Sequence, residues 1–284
     1  MFLLSLTPNV YSIVPSINSS TTFNTSNTSR FETIALSDTK FLIAYSDGSN
    51  AEMRAIVGEV DGKNISLGSP VTLSAGAGSY IDVAELSSGY LIFVWSDPTA
   101  GNSGNSVVGR VSGTNISLGT PQQFEADQVA EPRVCALSSN SFTVLYSDDG
   151  NSDHGTVITG SVSGSNISYG NADVFETSAS TSLDICQVDN DSYLIAYSAN
   201  SDGILVVGTA SGGNNTFGTK ERYEGTASAP FARLEPVASR AFACAYQDNA
   251  NGDYGTIQLL TLLVLIFHYY QIMCSTRISL MISG

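Results

Sequence analysis

Five charged residues recur at nearly constant intervals along the chain: Glu32, Asp82, Arg133, Asp184 and Arg233. Each stands thirteen residues before an aromatic residue, Tyr45, Trp95, Tyr146, Tyr197 and Tyr246 in turn, although only 13% of the chain is charged. Two chemistries are open to such a set. Carboxylates such as Glu32, Asp82 or Asp184, held at the right separation in an open cleft, can do general-acid and nucleophile work on a glycosidic bond. Mixed signs at one level can instead line a polar binding pocket, or satisfy one another as an ion-pair ring between repeats. Arg133 and Arg233 are expected to hold the neighbouring carboxylates ionised, which favours binding or structure over acid catalysis.

Other reactive residues are scarce. His154 falls in a loop and His268 in an apolar tail, and neither lies in a nucleophile–base or phosphate-loop pattern. The segments "DGNSDHG" from Asp149 and "NANGDYG" from Asn249 resemble calcium loops, but the bidentate Glu is missing, so they read as turns. Cys135, Cys186, Cys244 and Cys274 show no metal-ligand spacing; the first three sit in apolar strand patterns and are expected as buried free thiols. No metal and no cofactor is therefore expected. Eleven basic residues against 26 acidic ones, a net charge of −15, leave no basic stripe for nucleic acid. The Asn-Ile-Ser sequons at Asn64, Asn115 and Asn166 hold the same place in each repeat, which makes a turn the stronger cause than glycosylation.

The elements that position the charged set are themselves repeated. "FLIAYSDGSN" from Phe41, "YLIFVWSDPT" from Tyr90, "SFTVLYSDDG" from Ser141, "SYLIAYSANS" from Ser192 and "AFACAYQDNA" from Ala241 align. Each of the first four is followed by a second anchor: "NISLG" at Asn64 and Asn115, "NISYG" at Asn166 and "NNTFG" at Asn214. Short alternating apolar runs bounded by Gly, Asn, Asp and Ser give four strands per repeat. Units of this length with four strands predict an all-β, five-bladed β-propeller of four-stranded antiparallel blades; stacked β-sandwiches are the runner-up. The expected repeats are 30–78, 79–128, 129–179, 180–228 and 229–262, with 1–29 a leader and closing strand. The strand Ser12–Phe23 should pair beside Thr256–Leu262 and remove the exposed edge. Phe23 then corresponds to Phe124 and Phe175.

Residues 263–284 break the pattern. The apolar run from Ile257 to Met273 contains Gln258, His268 and Gln271 and is short for a bilayer, so no membrane span is expected. An Asn-Ile-Ser motif is due at position 266, and a one-base shift of frame converts it to the observed Ile-Phe-His-Tyr, which reads as a frameshifted fourth strand. In repeat number and length, residues 12 to 262 resemble five-bladed propellers, a group that includes tachylectin-type lectins and several glycoside hydrolase families. No signature of either is matched, so the resemblance assigns no residue a role. The expected function is a non-enzymatic binding or scaffold protein for glycans or a protein partner at a cell or virion surface. The alternative is a glycosidase-like enzyme with its carboxylates at the channel mouth.

Overall fold

The computed structural model describes residues 19–76, 78–87, 89–225 and 231–262. The expected strand over residues 12–18, His268, Cys274 and the tail 263–284 lie outside them. The described chain is all-β, with three short 3-10 turns as its only helical segments, none long and apolar enough to cross a membrane.

Five units follow one another. The first holds β1 (Thr28–Ala35), β2 (Lys40–Asp47), β3 (Glu52–Asp61), β4 (Asn64–Leu67) and β5 (Val71–Ser74). The second holds β6 (Ile81–Ser87), β7 (Tyr90–Asp97), β8 (Ser103–Ser112) and β9 (Asn115–Leu118), and ends in the first part of β10 (Gln122–Ser138). Its continuation, with β11 (Ser141–Asp148), β12 (His154–Ser163) and the start of β13 (Asn166–Asp189), makes the third. The rest of β13, β14 (Ser192–Ala199), β15 (Asp202–Ser211), β16 (Asn214–Phe217) and β17 (Glu221–Glu224) make the fourth. The fifth is β18 (Arg233–Ala238), β19 (Ala241–Asp248) and β20 (Tyr254–Thr261). Within each unit successive strands pair antiparallel. Sequence boundaries between the second, third and fourth units vanish into single long strands, because no Gly or Pro interrupts the extended chain between Phe124 and Ala130 or between Phe175 and Thr181.

The recurring Asn-Ile-Ser motif has a structural cause. It starts the fourth strand after a two-residue hairpin whose first central residue, Gly62, Gly113, Gly164 or Gly212, has φ near +60°, the backbone such tight hairpins require. The glycine that closes the motif is pressed against the next unit: a Cβ on Gly119 would collide with the Ser165 carbonyl, and one on Gly170 with that of Gly213. The motif therefore sets both a turn and the approach of neighbouring units.

Four apolar clusters fill the joints between successive units. At three joints a ring from the fourth strand of one unit, Phe124, Phe175 or Tyr223, packs on the tyrosine of the next, Tyr146, Tyr197 or Tyr246, with centroids 4.9–5.3 Å apart. Phe23 meets Tyr45 in the same way at 5.1 Å. The exception is Leu73 with Trp95, where the larger indole fills the volume that the smaller leucine leaves. Cys135, Cys186 and Cys244 are free and buried as expected, and burial pushes the last two thiols up to about 12.

One face lacks a neighbour among the described residues. Ala245 opposes Ile257 across β19 and β20, the register in which Leu145 opposes Val157 in the third unit. Val157 is fully buried, whereas Ile257 is 71% and Leu259 73% exposed. The outer edge of β20 is unpaired within the described residues, and residues 19–23 form no strand, so the expected closing strand is absent from the part of it that is described.

Candidate functional site

The first strands of the units lie side by side, β1 by β6, β6 by β10, β10 by β13 and β13 by β18. Their upper ends converge on a cavity of about 310 Å3 to which all five units contribute, among them Glu32, Tyr80, Arg133, Ser182 and Phe231. Of the five residues singled out by spacing, Glu32, Arg133 and Arg233 line it, while Asp82 and Asp184 do not. The thirteen-residue count therefore falls on the first strand of every unit and brings three of its five residues to the cavity.

Contacts within the set differ from an alternating ion-pair ring. Arg133 Nη1 donates to Glu32 Oε1 at 3.3 Å, joining the first unit to the third, and this is the one ion pair of the set among the described residues. Arg233 Nη1 donates to the carbonyl of Ala232 at 2.7 Å instead of to a carboxylate. Asp82 and Asp184 are taken up by backbone. Val134 N donates to Asp82 Oδ2 at 2.8 Å, and Leu234 N donates to Asp184 Oδ2 at 2.6 Å, each bond crossing to the following unit. Asp82 Oδ1 also accepts from its neighbour Val83 N at 2.9 Å.

Burial works against the expectation that arginine keeps these acids ionised. Burial raises the Asp82 carboxyl to about 7, outweighing the opposing pull of Arg133 and of the Val134 N–H. Asp184 is raised for the same reason, against Leu234 N–H, Arg233 and Arg133. Removing a carboxylate from water costs more than a guanidinium several ångströms away returns.

Spacing alone missed the rim. Two residues before each ring position stand Arg30, Tyr80, Glu131, Ser182 and Phe231, and all but Tyr80 have φ between 49° and 62°. Each of the first, third and fourth units also slips register there, between Ser29 and Glu32, Ala130 and Arg133, and Thr181 and Asp184. A bulge of this kind turns a side chain out of the pleat and toward the cavity mouth. Non-glycine residues in the left-handed region are uncommon and cluster where function needs them. The Arg30 guanidinium sits 5.7 Å from the Tyr80 ring centroid, while Phe31 and Phe231 are 62% and 71% exposed at the mouth. Five unlike residue types occupy the rim, so no pattern of composition could have revealed it. The mouth thus combines aromatic faces with guanidinium donors, a mixture suited to a polar ligand with apolar faces.

No protein-family model matches the sequence, and no curated protein matches it. Among solved structures it is similar to AofleA from Arthrobotrys oligospora, with TM-score 0.52 and 7% identity over 84% of this chain and 69% of that one. It is also similar to the SapL1 lectin in complex with alpha methyl fucoside, with TM-score 0.51 and 12% identity over 82% and 79% of the two chains. The likeness is one of fold. Together with the repeated four-stranded units it is consistent with a β-propeller. The Hadza microbial sialidase Hz136 is similar at TM-score 0.49 and 11% identity, and the chain spans half the length of that protein while 78% of this chain is matched.

Proposed function

We propose that the chain is a non-enzymatic binding protein that takes a glycan or a protein segment at the mouth of the cavity ringed by the five first strands. The observation that carries this reading is the commitment of the carboxylates. Glu32 is held by Arg133, and Asp82 and Asp184 accept backbone N–H groups of the next unit. A hydrolase acid or nucleophile must instead point free at substrate. The enzyme reading draws support from Asp82, whose carboxyl titrates near neutrality as a general acid's does. A glycan-array screen run beside a hydrolysis assay separates the two. The expected result is saturable binding without turnover, weakened roughly tenfold or more in Arg133→Met by loss of charge-assisted hydrogen bonds. Turnover that disappears in Glu32→Gln or Asp82→Asn would establish the hydrolase instead.

The same reading takes the five units as one domain, residues 12–262, closed as a five-bladed propeller by the N-terminal segment. Register supports this. Gly104 pairs with Glu125 and Gly155 with Glu176, and each glycine carries the ring of the preceding Phe124 or Phe175. The equivalent pairing sets Gly255 opposite Asn24 and Thr256 opposite Thr22. Space above Gly255 is open, and Phe23 is the ring that belongs there. In Thr22→Cys/Thr256→Cys/Cys274→Ser, mild oxidation should give a monomer with an intramolecular disulfide, because directly opposed residues in an antiparallel pair meet the Cα spacing of a disulfide. Exclusively intermolecular cross-links would overturn closure.

A further inference from the structure

An apolar groove of about 290 Å3 lies at the joint between the fourth and fifth units, lined by Leu194, Leu205 and Val207 from one and by Leu259, Leu260 and Leu262 from the other. It shares no residue with the cavity at the mouth. Leu262, where the described chain ends, is part of its wall.

The earlier joints state what such a place requires. In each, one residue of a fourth strand packs with one cross-strand pair of the unit before. Ile116 joins the cluster of Leu42 and Val57, which oppose each other across β2 and β3. Ile167 joins that of Ile92 and Val108, opposed across β7 and β8. At the third joint both sides change together. The pair is Thr143 and Thr159, their hydroxyls 3.0 Å apart, and Asn215 Oδ1 accepts from Thr159 Oγ1 at 2.8 Å. Covering residue and pair match in chemistry, because a polar group buried against hydrocarbon loses its partner. At the fourth joint the pair is Leu194 and Val207, so an apolar covering residue is required. Val207 is only half-buried there, whereas Val57 and Val108, in clusters with their isoleucines, are 0% and 2% exposed.

Register names the missing residue. Ile116 and Ile167 stand opposite Val111 and Val162, five residues after them, and the N–H groups of those valines donate to Gly89 O and Asn140 O. Leu262 N makes the same bond to Arg240 O at 2.9 Å, and five residues after Leu262 stands Phe267. We infer that the groove is the seat of the chain's own C-terminal segment, residues 263–269, which returns along β20 and sets Phe267 over Leu194 and Val207. The turn differs from that of the other units. Val264 falls where Gly113 and Gly164 take φ near +60°, a conformation that a β-branched residue resists. Opening the hairpin by one pair gives a four-residue loop, 263–266, which a type I turn can close and which keeps Phe267 opposite Leu262. Tethering by so short a loop favours this segment over a second copy or a free partner. The N-terminal segment proposed to close the ring pairs around Thr256, on the other half of β20, so the two chain ends take different halves of one edge.

Hydrogen exchange followed by mass spectrometry tests this on the full chain. Peptides spanning 263–270 should exchange at least about tenfold more slowly than the same sequence without structure. Phe267→Leu should keep that protection and Phe267→Asn should remove it. Leu194→Thr/Val207→Thr installs the pair of the third joint and should also remove it, while the triple variant with Phe267→Asn recreates the third joint's combination and should regain most of it. Peptides from β7 and β11, remote from the groove, verify that each variant is folded. The contrast between Phe267→Leu and Phe267→Asn decides by itself if the threonine pair unfolds the chain. Phe267→benzoylphenylalanine locates the contact, and on illumination should cross-link to β14 or β15 of the same chain. Neither result depends on what binds at the cavity mouth. An unprotected 263–270 in the native chain, protection that survives Phe267→Asn, or cross-links that fall elsewhere or join two chains would each overturn the assignment.

Discussion

Replacing Trp95 by alanine is expected to lower the free energy of unfolding by about 3–5 kcal/mol, the range for deleting a large buried aromatic. Trp95 is 1% exposed and packs with Met53, Leu73, Val83 and Val107 in the cluster that fastens the first unit to the second. Across the joint Leu73 stands where other units have Phe or Tyr, so the ring that elsewhere packs on this position is missing. Urea unfolding followed by far-UV circular dichroism measures the change, the tryptophan signal itself being lost. A loss under about 1 kcal/mol would mean that the joint is not packed as described. Trp95→Phe provides the contrast. The indole Nε1 is buried with no hydrogen-bond partner, and an unpaired buried donor carries a penalty of roughly 1–3 kcal/mol that phenylalanine removes. Its smaller ring gives part of this back, so the net loss should be well below that of the alanine variant. Tyr197→Phe should behave oppositely and lose about 1 kcal/mol, because its hydroxyl donates to Glu176 Oε2 at 3.1 Å.

The second large effect is set by pH. The Asp82 carboxyl titrates near 7 when folded, against an ordinary value of 3.8, because burial disfavours its charged form. The folded chain therefore holds a proton that the unfolded chain has released between these values. The stability this provides is fully present below about 4 and is lost as pH rises through 7, on the order of 4 kcal/mol across the window. Asp82→Asn keeps an acceptor for Val134 N–H but has no proton to lose. It should thus be less stable than the native chain near pH 4, because its NH2 cannot accept from Val83 N–H, and more stable at pH 8. The groups that face Asp82 are Arg133, Glu32 and the Val83 and Val134 amides, and none is altered by the substitution. Urea midpoints at pH 4, 6 and 8 read the crossover directly. Parallel pH curves for the two proteins would show that Asp82 is charged throughout, and the account of its burial would fall.

The repeat was legible because its signals are local. The alternation within "FLIAYSD" and the turn glycines before each Asn-Ile-Ser motif specify strands and hairpins with little help from distant residues. The aromatic anchors were found for the same reason, and the exchange of Phe–Tyr for Leu–Trp at one joint could have been read from position 73 alone. What spacing could not supply was the balance between burial and charge. Asp82 and Arg133 look like an ion pair in sequence, but it is the backbone N–H of Val134 that reaches the carboxylate, a fact of three-dimensional packing. The left-handed rim residues were hidden as well, since Arg30, Glu131 and Phe231 are not residue types that announce a positive φ. The fused strands β10 and β13 were missed because a repeat boundary has no chemical mark when the chain stays extended across it.

The bonds that backbone N–H groups of the first strands make to side chains of the preceding unit share one direction along the chain. Asp82 accepts from Val134 N, Glu131 from Leu183 N, Ser182 from Phe231 N and Asp184 from Leu234 N, so at these four places an acceptor in one unit waits for a donor in the next. During synthesis on the ribosome each unit emerges with its acceptors hydrated and its apolar joint uncovered, and both are completed only when its successor arrives some fifty residues later. Assembly is in this sense a vectorial relay, in which nearest-neighbour interfaces form in order of translation. The last unit to emerge inherits the uncovered face of Ile257 and Leu259. A nascent chain stalled within any of these units would expose the same kind of face, which makes the intervals between successive joints the stages at which chaperones have most to hold.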